Sequence, residues 1–178
     1  MYVEVTGPLC AGKSSSLSVP VTTISAVYAP VGFVYLAFMQ RVGFWFLLMK
    51  VFGSDRSPLH VIRVGVHVFA KFGFKALNKL SDGNYVIDEG VSHIPFILML
   101  EKNEINRFLD LFSLYLRGSK IVFLRVNENT LRARLKRRGH KRIRTSNDLE
   151  NFVRNHVRVM GEYSSALASR GFDLLDSL

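Results

Sequence analysis

Tyr2-Val3-Glu4-Val5-Thr6-Gly7-Pro8-Leu9-Cys10-Ala11-Gly12-Lys13-Ser14 lies near the start of the chain. The first five residues alternate and are β-rich, which predicts a strand. From Gly7 the sequence reads G-x-x-x-x-G-K-[ST], the phosphate-binding Walker A pattern. Two glycines let the backbone turn successive N–H groups inward, which makes an anion nest. A helix starting near Lys13 adds its own N–H groups and dipole. The expected nucleotide loop is therefore Gly7, Pro8, Leu9, Cys10, Ala11, Gly12, Lys13, Ser14 and Ser15. In such a loop the lysine reaches the β- and γ-phosphates and the hydroxyl ligates Mg²⁺. Lys13 and Ser14 take those roles, and ATP and Mg²⁺ are the expected cofactors. Cys10 sits near the positive dipole ends, and its plain reading is a small apolar loop residue. Pro20 predicts that the helix after the loop is short.

Outward from this loop, composition sets the frame. The 178 residues are 48% hydrophobic and 21% charged, which excludes disorder as the main state and fits one domain over 1–178. A single cysteine excludes an intramolecular disulfide framework, and five histidines argue against a multi-ligand zinc site. The opening residues lack a secretory signal pattern, so the expected location is cytoplasmic. The net charge of +10 is uneven: residues 1–80 carry 8 basic and 2 acidic side chains, 81–116 carry 2 and 6, and 117–178 carry 14 and 6. A basic surface favours polyanionic partners without choosing among them.

Residues 21–27 read as a buried strand, with helix as the alternative. Residues 31–52 are very apolar. About 20 such residues suffice to span a bilayer, but Arg41 falls in the middle, and a central arginine is costly in lipid. A buried helix is expected, with a membrane-surface helix as the second reading. Residues 58–80 place Leu59, Ile62, Val66, Phe69, Phe72, Ala76 and Leu80 at steps of three and four, which predicts an amphipathic helix. Its other side carries His60, Arg63, His67, Lys71, Lys75 and Lys79, read first as a solvated face and second as a surface for an anionic acceptor or lipid. Residues 81–84 predict a turn. Strands are expected at 85–87, 120–126 and 172–176, and helices at 104–116, 128–138 and 148–168. Strands alternating with helices argue for a parallel sheet flanked by helices.

Val86-Ile87-Asp88-Glu89 has apolar residues followed by acids at a strand's carboxyl end, where ligands bind in open α/β sheets. Such an acid holds Mg²⁺ or accepts the acceptor's proton. Asp88 and Glu89 are the candidates, with Asp88 as a metal ligand beside Ser14. Eight of the thirteen residues from Arg132 to Arg144 are Lys or Arg. Arg134 and Arg138 are four apart and share a helix face. There they would clamp a transferring phosphoryl group, as part of a basic lid around 132–146.

Together, TGPLCAGKSS, VIDEG and IVFLRVNENTLRARLKRRG resemble the P-loop nucleoside and nucleotide kinases, thymidylate kinase-like in the broad sense. The resemblance implies a P-loop NTPase fold, a three-layer α/β/α sandwich with a five-stranded parallel sheet. It implies a kinase, a transferase using ATP and Mg²⁺, with Lys13, Asp88, Glu89, Arg134 and Arg138 as catalytic residues. Asp88-Glu89-Gly90 is not the Asp-Arg pair typical of thymidylate kinases, and residues 30–80 carry no nucleobase signature. The acceptor stays open as a small molecule: a nucleotide, a sugar, a lipid-linked group or another metabolite. The alternative function is a nucleotide-binding membrane-peripheral or regulatory protein without kinase activity, making peripheral membrane contact through 31–80. Nucleic acid is not expected as a partner, because no nucleic-acid motif appears. The sequence sets no oligomeric state.

Overall fold

A computed structural model describes residues 2–8, 22–53, 57–78, 85–138, 143, 145–172 and 174–176. In chain order its elements are β1 (Tyr2–Thr6), β2 (Thr22–Thr23), α1 (Ala29–Met39), α2 (Arg41–Phe52) and α3 (Pro58–Asn78). There follow β3 (Tyr85–Asp88), α4 (Ile94–Leu98), α5 (Lys102–Leu116), β4 (Lys120–Phe123), α6 (Glu128–Arg138), α7 (Ser146–Ser169) and β5 (Leu174–Asp176). Short 3₁₀ turns at Ala26–Tyr28 and Val91–His93 lead into α1 and α4.

The fold is α/β. Strands β2-β3-β1-β4 form a parallel sheet, and the short β5 adds to its β4 edge. Val5 pairs with Asp88 on one side of β1 and with Val122 on the other. Paired residues share a sheet face, so Val5, Asp88 and Val122 face one way and Glu4, Ile87 and Ile121 the other. On the Val5 side a smaller core gathers Leu124 with Leu131 and Leu135 of α6 and Leu149 and Val153 of α7. On the Ile121 side a larger core unites α1 to α5 with the later turns of α7, through Leu36, Leu47, Phe72, Phe108, Phe112 and Tyr163. Helices thus flank both faces, unevenly.

Local chemistry accounts for the helix ends. A reciprocal capping box joins Glu101 and Glu104 at the start of α5, and another joins Thr145 and Asp148 at the start of α7. Helices α1 and α3 cross in backbone contact: a Cβ on Gly32 would lie 1.8 Å from the Phe69 carbonyl oxygen, and one on Gly73 2.0 Å from that of Tyr28. Only glycine allows this approach.

Three expectations change. The strand expected at 21–27 reduces to Thr22–Thr23, because Ser25 caps the 3₁₀ turn that follows. The single buried helix expected at 31–52 is two helices, broken at Gln40 (φ −140°, ψ 58°), whose side-chain amide donates to the Leu111 carbonyl of α5 (3.1 Å). Both are buried on one side only. On α3, Lys71 and Lys75 are buried rather than solvated, because the Glu89 carbonyl accepts from Lys71 and the Glu4 carboxylate from Lys75. The predicted turn at 81–84 and most of the basic loop expected at 139–146 lie outside the described residues, as does the short helix expected before Pro20.

Candidate functional site

The chain leaving β1 goes next to β2, beyond β3, whereas the chain leaving β3 goes next to β4, beyond β1. Adjacent strands whose connections run opposite ways open a crevice outside their carboxyl ends. The predicted phosphate loop begins there. Gly7 has φ +148°, and a Cβ on it would sit 2.6 Å from the Leu124 carbonyl oxygen, so both conformation and space require glycine. Gly7 and Pro8 are described. Leu9, Cys10, Ala11, Gly12, Lys13, Ser14 and Ser15 lie outside the described residues.

Asp88 ends β3 beside Val5, about 7 Å short of Gly7 along the strand direction. Its side chain shares the sheet face on which α6 packs. On α6, Arg134 and Arg138 are exposed and four residues apart, while Leu131 and Leu135 are buried in one core with Val5 and Leu124. The acid and the two arginines therefore belong to the same face of the sheet. Arg132 differs from them. It donates to Glu128 (2.7 Å) and, through two nitrogens, to Glu150 (2.9 and 2.8 Å), which ties α6 to α7.

Glu89 turns the other way. It adopts a left-handed conformation (φ 60°), which costs a non-glycine residue of order 1–3 kcal/mol and persists only when its surroundings impose it. Here its N–H donates to the Val5 carbonyl (3.1 Å), its carbonyl accepts from the buried Lys71 ammonium, and its carboxylate lies 3.3 Å from His93 Nε2. Its side chain opens into a cavity of about 270 Å³ between α3, α4 and α7. Arg63, His67, His93 and His156 bring polar groups to this cavity, and Phe96 and Phe152 bring apolar surface. His93 stacks on Phe96 (centroids 5.4 Å apart, planes 22° apart) and His156 on Phe152 (4.0 Å, 25°). Burial and the neighbouring Lys71 charge push the His67 imidazole below its ordinary pKa, so it is neutral at pH 7. The cavity thus offers a fixed cation at Arg63, a carboxylate and a neutral imidazole.

Behind the cavity lies a buried polar network. Glu4 is fully buried in the middle of β1. Its carboxylate accepts from Lys75 Nζ (2.8 Å), Ser119 Oγ (3.2 Å) and the Ser92 N–H (2.7 Å). Lys75 also donates to Ser119 Oγ (2.6 Å) and lies 4.6 Å above the Tyr2 ring. Thr6 Oγ1 donates to the Ser92 carbonyl (3.2 Å). These bonds fix the 3₁₀ turn that carries His93. A Cβ on Gly90 would stand 2.4 Å from a Glu4 carboxylate oxygen, which accounts for the glycine after Asp88-Glu89.

Sequence reasoning placed Asp88 and Glu89 together at a strand end, and they are there. It assigned Arg63 and His67 to a generic polar face and did not single out His93 or His156. One local signal was available, since His93 follows Glu89 by four residues. Among the described residues no group of three or more His, Cys, Asp or Glu is placed to hold a metal, and no helix is long and apolar enough to cross a membrane. Comparison with protein-family models, curated proteins and solved structures finds no match for this chain.

Proposed function

We propose that this chain is an ATP-dependent phosphotransferase of the P-loop kinase type, acting on a hydroxyl group of a small-molecule acceptor. The observation that carries this reading is the juxtaposition at the carboxyl ends of β1 and β3. Gly7, at the mouth of a complete G-x-x-x-x-G-K-S pattern, lies about 7 Å beyond Asp88 along the strand direction, and a polar cavity opens beside Glu89. Residues 7–15 would hold ATP, with Lys13 at its phosphates and Ser14 on Mg²⁺. Gly7 fits such a cradle, since its backbone conformation and close contact leave no room for a side chain. Bound ATP–Mg²⁺ supplies the phosphoryl group and the charge that polarises it. Magnesium usually keeps several waters and takes few protein ligands, so Ser14 and Asp88 make a sufficient pair.

Two neighbouring acids on opposite sheet faces suit two roles. Asp88, on the α6 side, would hold Mg²⁺. Glu89, facing the cavity, would draw the proton from the acceptor hydroxyl, a general-base task. Arg134 and Arg138 would balance charge that develops on the transferring group. Arg63 would bind an anionic part of the acceptor. The test is ADP release measured over nucleosides, nucleoside monophosphates and sugars. One acceptor class should stimulate turnover, and Arg63→Ala should raise KM for it more than it lowers kcat. ATP binding without stimulation by any class would favour the regulatory reading instead.

A further inference from the structure

A helix that is apolar all round is ordinarily buried all round. Helix α1 has no charged residue and α2 has only Arg41 and Lys50, yet each is covered on one side alone. On α1, Val31, Val34 and Phe38 recur at steps of three and four and are exposed, and the first turns of that face form an open apolar depression with Pro30 and Tyr35. On α2, Val42, Trp45, Met49 and Phe52 recur at three, four and three. Phe38, Trp45 and Phe52 are 72%, 62% and 66% exposed. Leu59 and Ile62 extend the exposed apolar surface onto the start of α3. Single exposed apolar residues are ordinary, but a series of this size marks a site of interaction.

Charge selects the partner. From residue 22 to residue 78 the sequence has one acid, Asp55, against six Lys and Arg. Arg41 is exposed on α2, four residues before Trp45, whereas Lys50 is bonded to Glu104 of α5. A second copy of the chain would bring the same uncompensated positive charge to its partner. An anionic bilayer brings the opposite charge together with an apolar interior. We infer that α1 and α2 lie in the interface of an anionic membrane, inserting Phe38, Trp45, Met49 and Phe52 among the acyl chains with Arg41 at the headgroups. Trp45 suits that depth, because its ring is apolar and its N–H needs a polar neighbour. This inference does not depend on the phosphotransfer reading.

Trp45 is the single tryptophan, so it reports on its own environment. The 178-residue chain is mixed with vesicles of phosphatidylcholine alone, or of phosphatidylcholine with an equal share of phosphatidylglycerol. The expected result is a blue shift of Trp45 emission, and quenching by brominated acyl chains, only with the anionic vesicles and less at high salt. Phe38→Ser and Met49→Ser should each weaken partitioning about tenfold, from the apolar area lost. Arg41→Gln should weaken it about fivefold. Unchanged far-UV circular dichroism and thermal midpoints in these exposed-site variants exclude misfolding as the cause. Three results would overturn the inference: no binding to anionic vesicles at low salt, equal binding to neutral ones, or a lipid-free blue shift that grows with protein concentration alongside a sedimenting dimer. The last would assign the face to a second copy.

Discussion

Lys75→Met should expose the energetic role of the network behind the cavity. Burial alone pushes the Glu4 carboxyl up, but the Lys75 charge and the hydrogen bonds from Lys75 and Ser92 outweigh it and hold the group below the usual carboxylate range. A carboxyl lowered on folding contributes stability that is present above its unfolded pKa of about 4.3 and lost as pH falls through the lower folded value. Wild-type stability from this group is therefore intact between pH 5 and 7. In the variant the cation is gone, burial dominates, and the carboxyl titrates above its unfolded value. The folded state must then take up a proton. Each pH unit above 4.3 makes that uptake about 1.4 kcal/mol harder, so it costs about 3.7 kcal/mol at pH 7 and about 1 kcal/mol at pH 5. The pH 7 figure falls within the range of roughly 3–5 kcal/mol for breaking a buried ion pair. In a chain of this size it lowers Tm by roughly 7–15 °C. Urea unfolding followed by far-UV circular dichroism at pH 5, 6 and 7 measures the deficit. It should shrink by more than half as pH falls, and Lys75→Met combined with Glu4→Gln should recover most of it at pH 7. A pH 7 deficit below about 1 kcal/mol, or one that does not change with pH, would refute the reasoning.

Three further outcomes are expected. Lys13→Ala should weaken ATP binding at least tenfold by calorimetry, since a charge-assisted hydrogen bond to phosphate is worth roughly 1.5–3 kcal/mol. Asp88→Asn and Arg138→Ala should each lower kcat on the order of 10²-fold while leaving ATP affinity nearly unchanged, because their contacts strengthen in the transition state; equal losses in binding and rate would refute that assignment. Gly32→Ala should destabilise the fold by about 3 kcal/mol or more by thermal denaturation, since a Cβ 1.8 Å from the Phe69 carbonyl forces α1 and α3 apart; Gly118→Ala, with nothing within 4 Å of its Cβ, is the matched control.

The elements that sequence pattern located share one property: their signal is local. Alternation marks Tyr2–Thr6, and an apolar run ending in acids marks Tyr85–Asp88. Amphipathic spacing finds the helix at 58–78, and the boundaries at 128–138 agree with its observed ends. What local pattern misjudged depends on a distant partner. Helical periodicity sends Lys71 and Lys75 to solvent, and two distant acceptors reverse that assignment: the Glu89 carbonyl for Lys71 and the Glu4 carboxylate, 71 residues away, for Lys75. His93 and His156 are 63 residues apart in sequence and approach one cavity only because α4 packs on α7. Hydropathy reports that 31–52 is apolar, but not whether a neighbour covers both sides, and α1 has α3 on one side alone. The same dependence bears on how the site is tested. Lys71 grips the Glu89 carbonyl and Lys75 grips Glu4 beneath Gly90, so both act through the backbone that presents Glu89. If the chain is the proposed phosphotransferase, substituting either lysine would lower turnover through that backbone. Loss of activity there must therefore be judged against the stability deficit and its pH dependence, whereas loss at Asp88 or Arg138 without such a deficit speaks to the chemistry itself.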